Sequence, residues 1–147
     1  MVSSSDQSRT ITSVEAREPT TLRLRWSDGT QVDLDLQDML RAKAFRALRD
    51  PTEFARVHVG EWGHSVEWAN GSELSAETLW LETLSATGRS DTRAFLEWRL
   101  KHALSLSGAS EALGLSRRMV AYYSSGEKKV PRAILLACKG WEVSEAA

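Results

Sequence analysis

Several side chains in this sequence could carry chemistry, and their spacing decides what kind. Asp33 and Asp35 stand two apart, which puts both carboxylates on one face of a strand. Their alternation with Val32 and Leu34 reads instead as the solvated face of a half-buried strand. His58 and His64 have neither metal-ligand spacing nor a companion carboxylate motif. Cys138, the single cysteine, lies in the apolar run Ile134-Leu135-Leu136-Ala137-Cys138 and reads as a small buried hydrophobe. A reactive thiol would need an exposed, electropositive setting, and one cysteine closes no intrachain disulfide. No Gly-rich phosphate loop, nucleophile elbow or HExxH helix occurs. A hydrolase using Asp33/Asp35 or His58 would need a nucleophile, a base and an orienting group together. The expectation is therefore a protein without catalytic residues, metal or cofactor.

The pair Arg117-Arg118 points elsewhere. Adjacent arginines at the start of a helix are disfavoured by the helix dipole. They make sense if that end meets DNA, where an arginine forks onto guanine edges or binds phosphate. The surrounding elements would present them so. Ser90 or Asp91 can cap a helix through His102, with Leu96, Leu100, Ala103 and Leu104 on its buried stripe. Ser105 offers a second cap for a short helix to Leu113, which Gly114 ends by supplying positive φ. Ser116 caps a third helix, from Arg117 to about Ser124, closed by Gly126. A helix-turn-helix needs a small residue four before the turn glycine, where Ser110 stands. It needs apolar residues on either side of that glycine (Leu113, Leu115), and again six and nine later (Val120, Tyr123). Arg117, Arg118, Ala121 and Tyr122 are then the outward positions. The turn Glu127-Lys128-Lys129-Val130-Pro131-Arg132 brings Lys128, Lys129 and Arg132 beside it, as flanking phosphate contacts or as a solvated loop. A last helix should run to Lys139 and stop at Gly140, with Trp98 and Trp141 packed together.

The first half has a different period. Leu22, Leu24 and Trp26 alternate with Thr21, Arg23 and Arg25, and Val32, Leu34 and Leu36 alternate beyond Ser27-Asp28-Gly29-Thr30. Asp-Gly between two such runs signals a hairpin with a type I′ turn, positive φ falling on both central residues. The pattern Trp-x-Asp/Asn-Gly-Thr/Ser recurs at Trp68, before Asn70-Gly71-Ser72. Between the copies a short helix or turn is expected over residues 38–48, then Asp50 capping a turn that begins at Pro51. Ala55 to Val59 should be a strand, and Ala76 to Leu84 a helix capped by Ser75. Trp26, Trp62, Trp68 and Trp80 read as core, or alternatively as the lining of a ligand pocket. The fold class is α+β: a small, mostly antiparallel sheet domain followed by an all-α helix-turn-helix domain.

Composition sets the outer bounds. The chain has 147 residues, 41% of them hydrophobic, enough for a packed core and too apolar for wholesale disorder. No apolar window reaches a membrane span, and the first nine residues hold no apolar stretch, so a cytoplasmic protein without a signal peptide is expected. The 19 basic and 20 acidic side chains nearly cancel, which argues against a nucleic-acid partner only if they are evenly spread. They are not: residues 1–88 carry 9 basic and 14 acidic groups, residues 89–147 carry 10 basic and 6 acidic.

Two resemblances complete the reading. Leu24 to Leu36, Phe45 to Phe54 and Val66 to Leu74 resemble a bacterial family of domains of unknown function, spanning about residues 11–84. That resemblance implies a small sheet domain and, through members that look like antitoxins, a protein partner resembling a small toxin. Phe95 to Trp141 resembles the lambda repressor/Cro-type helix-turn-helix, notably at Leu104-Ser105, Ala112 through Val120, and Ser125-Gly126-Glu127. It implies that helix 117–124 enters the major groove, with Arg117, Arg118 and Tyr122 reading bases and Ser116 touching phosphate or base. Leu106 replaces the polar residue that opens the second helix in that family, and Ser124 replaces a glutamate. The domains expected are a disordered tail over 1–10, the sheet domain 11–84, a linker 85–89 and the helix-turn-helix DNA-binding domain 90–141. The function expected is a sequence-specific DNA-binding homodimer regulating transcription on double-stranded DNA. The alternative is an antitoxin-like interaction module with auxiliary or lost DNA binding.

Overall fold

The computed structural model describes residues 9–17 and 19–146, so the tail expected over 1–10 lies outside the described residues except at its end. The described chain divides into two compact units between Thr87 and Gly88. All strands of the described residues lie in the first, which is α+β; the second is helical.

Two three-stranded antiparallel meanders form the first unit. One contains β1 (Ile11–Arg17), β2 (Thr21–Trp26) and β3 (Gln31–Asp35); the other β4 (Val57–Val59), β5 (Ser65–Trp68) and β6 (Glu73–Ser75). The period of two selects their faces. Leu22 pairs with Leu34 and Leu24 with Val32, and this face is buried. In the second meander Val66 opposes Leu74, and both are buried. Helix α1 (Pro51–Phe54), capped by the Asp50 carboxylate on the Thr52 amide, brings the Phe54 carbonyl to the Trp68 indole N–H at 2.9 Å. Helix α2 (Ala76–Ala86), capped by Ser75, brings the Thr83 hydroxyl to the Trp26 indole N–H at 3.1 Å. Trp80 of α2 also meets Trp26 edge-on, ring centroids 5.0 Å apart. Trp26 and Trp68 thus bury large apolar area with their one donor satisfied.

The two hairpins share one turn, and it is not type I′. The Gly29 amide donates to the Trp26 carbonyl and the Trp26 amide to the Thr30 carbonyl, enclosing three loop residues. Gly29 alone has positive φ (+93°), and the Asp28 carboxylate accepts from the Thr30 amide at 2.9 Å. Trp68, Asn70, Gly71 and Ser72 repeat every one of these bonds, with Gly71 at +92°. This is a type I turn with a glycine bulge, which an Asx-Gly pair serves as well as I′ does.

Three other expectations for this unit need correction. The strand expected from Ala55 begins only at Val57, because the Ala55 amide donates to Pro51 and closes α1. The segment expected as one short helix or turn forms two 3-10 stretches, Met39–Arg41 and Lys43–Arg49. Trp62 is not core: it is 72% exposed, sits at φ +62°, and donates its indole N–H to the neighbouring Glu61 carboxylate.

The second unit contains α3 (Ser90–Lys101), α4 (Leu106–Leu113), α5 (Arg117–Ser125) and α6 (Arg132–Ala146). Neither Ser90 nor Asp91 caps α3. Arg89 precedes the helix without a side-chain cap, and the Asp91 carboxylate instead accepts from the Val130 amide at 2.8 Å. The buried face of α3 is Thr92, Phe95, Trp98 and Arg99, while Leu96 is half-buried and Leu100 is 45% exposed. Ala103, expected on the stripe, is exposed at φ +51°, and Leu104 is half-buried. The aromatic rings take the inward positions because they bury the most apolar area. Helix α6 does not stop at Gly140. Beyond it, Trp141 packs on Trp98 with centroids 5.6 Å apart, and Glu142 accepts from Lys101 at 2.9 Å and lies 2.7 Å from His102 Nε2. These contacts outweigh the roughly 1 kcal/mol that an interior glycine costs a helix.

This architecture can be tested at two points. A Cβ at Gly114 or Gly140 would meet no atom within 4 Å, yet only Gly114 has positive φ (+68°). Gly114→Ala should therefore destabilise by about 1–2 kcal/mol and Gly140→Ala stabilise by about 1 kcal/mol, read as urea midpoints. Asp33 accepts from Arg23 at 2.8 and 3.1 Å on the facing strand, and this pairing holds its carboxyl below the usual range. A depressed folded pKa contributes stability above the unfolded value, which disappears as pH falls through the folded one. Asp33→Asn should lower stability at pH 7 and flatten its fall with acid below about pH 4.

Candidate nucleic-acid interface

Helices α4 and α5 are each too short to persist alone, so packing must orient them. Ser105 caps α4 through the Gly108 amide at 2.9 Å, and Gly114, left-handed, ends it. Ser110 spans the turn: its hydroxyl donates to the Leu115 carbonyl, and its carbonyl accepts from the Leu115 amide at 3.1 Å. Ser116 then caps α5 by accepting from the Met119 amide at 3.0 Å. Val120 and Tyr123 are buried, Tyr123 edge-on to Phe95 with centroids 5.7 Å apart.

A group that sequence reasoning missed fixes the far end. Arg99, only 7% exposed, donates to Ser124 Oγ at 2.8 Å and to the Leu104 carbonyl at 3.2 Å. Ser124 donates onward to the Val120 carbonyl at 2.7 Å. Ser124 is therefore part of a buried polar network rather than a lost surface contact. Leu106 is likewise buried in the helical core, and its neighbour Ser107 is exposed. The only sequence signal for Arg99 was its place one residue after Trp98 on an aromatic face. Arg89 donates to the Ser125 carbonyl at 3.3 Å, setting a positive group at the C-terminus of α5 where the dipole favours it.

The opposite side of α5 uses almost none of its side chains for folding. Arg117 and Arg118 are exposed, and so are Lys128, Lys129 and Arg132. Arg118 Nε donates to Tyr122 Oη at 2.7 Å, and Lys128 Nζ lies 5.0 Å from the Tyr122 ring centroid. The Lys128 amide donates to the Tyr122 carbonyl at 3.3 Å, and the Asp91 bond to Val130 anchors the same turn. Arg118, Tyr122 and Lys128 are thus brought together, while Arg117, Lys129 and Arg132 stand outside that set of contacts. Ala121 departs from expectation: it is half-buried and packs against the helical core. Ser116 is exposed, its oxygen occupied as a cap.

The other candidates fall out differently. Asp35 accepts from the Thr20 hydroxyl at 2.7 Å and from the Gln37 amide at 3.0 Å, so it too sits below the usual carboxylate range. Asp33 and Asp35 are thus engaged separately, the one by Arg23 and the other by Thr20 and the Gln37 amide. His58 and His64 are exposed. Burial pushes the Cys138 thiol up to about 11. Among the described residues no group of three or more His, Cys, Asp or Glu could hold a metal ion, and no helix is long and apolar enough to cross a membrane.

Similarity to known proteins bears on this surface. No curated protein matches the chain. Residues 11–83 match the model of the family described as a protein of unknown function, DUF2442. The chain is similar to a solved structure named "Putative DNA Binding Protein NE0471", from Nitrosomonas europaea ATCC 19718. The two are 41% identical, with a TM-score of 0.70 over 91% of this chain and 86% of that one. The likeness therefore reaches well beyond the sheet unit. Residues 11–83 of the chain are thus a domain of the DUF2442 family.

Proposed function

We propose that the chain is a sequence-specific DNA-binding protein that regulates transcription, with α4 and α5 as its helix-turn-helix and α5 as the recognition helix. One observation carries the reading: the exposed side of α5 gathers Arg118, Tyr122 and Lys128, with Arg117 and Ser116 at its N-terminal end. A helix start carrying two arginines is locally unfavourable and becomes favourable against a polyanion. The name carried by the similar Nitrosomonas protein points the same way. Arg117 and Arg118 reach base edges in this reading, and Lys128, Lys129 and Arg132 follow the flanking phosphates. One such unit spans few base pairs, so a homodimer on two half-sites of double-stranded DNA is the working form. The acidic sheet unit stays off the phosphates and serves pairing or partner binding.

Selection of bound duplexes from a random pool tests this. The wild type should enrich one motif, and Arg117→Ala/Arg118→Ala should lose it. Lys128→Ala should keep the motif and reduce the salt slope of binding by about 1. A wild type that enriches nothing, or an unchanged double variant, overturns the reading.

A further inference from the structure

An exposed arginine ordinarily samples many rotamers and must lose that freedom on binding. Arg118 is already held. Its Nε donates to the Tyr122 hydroxyl one helical turn along, and its guanidinium carbon lies 5.5 Å from the Tyr122 ring centroid. Lys128 Nζ, 5.0 Å from the same centroid, and the Lys128 amide on the Tyr122 carbonyl hold the tyrosine in turn. Anchoring through Nε uses one of five donors and leaves both terminal nitrogens, whose outer N–H groups form a planar fork.

A fork fixed in direction is more than phosphate binding requires, because phosphate oxygens accept over a wide range of angles. It suits two acceptors side by side in one plane. In the major groove guanine presents that pair, N7 and O6, whereas adenine sets an N–H donor beside its N7. We propose that Tyr122 is a positioning residue rather than a base reader, holding Arg118 to a guanine, which becomes the best-specified base of the operator. The inference rests on α5 being the recognition helix.

The test uses full-length wild type, Tyr122→Phe, Arg118→Lys and the double variant, each taken through random-duplex selection. Each is then titrated with the selected duplex and with copies bearing single guanine-to-adenine changes. Wild type should prefer one guanine over adenine by about tenfold or more. Tyr122→Phe keeps the ring and loses the hydroxyl, so that preference should drop severalfold at that one position. Its affinity for an unrelated duplex and its thermal midpoint should not move. Arg118→Lys, which keeps the charge and the tyrosine but removes the planar fork, should also reduce the preference at that position, and Tyr122→Phe added to it should reduce it no further. Undiminished discrimination in Tyr122→Phe, or an equal loss on every duplex as for a phosphate contact, overturns the proposal while leaving DNA recognition standing. No enriched motif for the wild type defeats the underlying reading instead.

Discussion

The helical unit depends on the turn between α4 and α5. Neither helix has the length to hold itself, and α5 in particular carries two arginines where its dipole favours acids. Its direction comes from Ser110, which bonds both ways with Leu115 across the left-handed Gly114, and from Val120 and Tyr123 packed toward Phe95. With those three points fixed, the helix has one permitted rotation about its axis. Arg117 and Arg118 then face outward because Val120 and Tyr123 face inward. The exposed chemistry is in this sense a by-product of the buried packing.

The features that could be read in the sequence are those with a short-range cause. Alternation in β2 and β3 determined which residues face inward, since a slip of one residue would expose the whole apolar set. The spacing around Gly114 predicted the buried positions Val120 and Tyr123, because one backbone geometry imposes all of them together. The misreadings in the helical unit have a common origin in contacts between residues distant in sequence. On α3, two overlapping sets of positions were both apolar enough to be buried, and the choice of Phe95 and Trp98 over Leu96 and Leu100 rested on partners in α5 and α6. Gly140 looked like a stop because the signal for stopping is local, while Trp141 and Glu142 hold the helix through partners on α3 and just beyond it. Arg99 could not have been placed inside from its own type, since its burial is made tolerable by partners elsewhere in the fold, among them the carbonyl of Leu104 and the hydroxyl of Ser124.

Within the proposed interface the division is similar. The residue types and the helix that bears them were legible, and the side-chain pairings were not. The resemblance to the helix-turn-helix family implied Tyr122 among the base readers, and the pairing of its hydroxyl with Arg118 was not visible in the sequence. Ala121 lies on the same arc by helical geometry but is small enough to be partly covered by its neighbours.

The places where the chain accepts a local penalty separate the two units' roles. In the helical unit the unfavourable arginines coincide with the exposed cluster on α5, and a second local penalty, the left-handed Ala103, ends the turn after α3. In the sheet unit the described residues place one bulky side chain in the left-handed region, Trp62, and that ring is also mostly exposed. An aromatic ring in water contributes little to folding, and a left-handed backbone beneath it costs about 1–2 kcal/mol. The bond from its indole to Glu61 is a surface contact between adjacent residues and returns only a small part of that cost. The hairpins, by contrast, satisfy every turn requirement with Asx and glycine. A sheet unit so consistent elsewhere holds its one strained aromatic at the surface, while Trp26 and Trp68 are buried with their donors paired. Burial thus divides the tryptophans of this unit, for Trp26 and Trp68 maintain the fold, and the fold maintains Trp62.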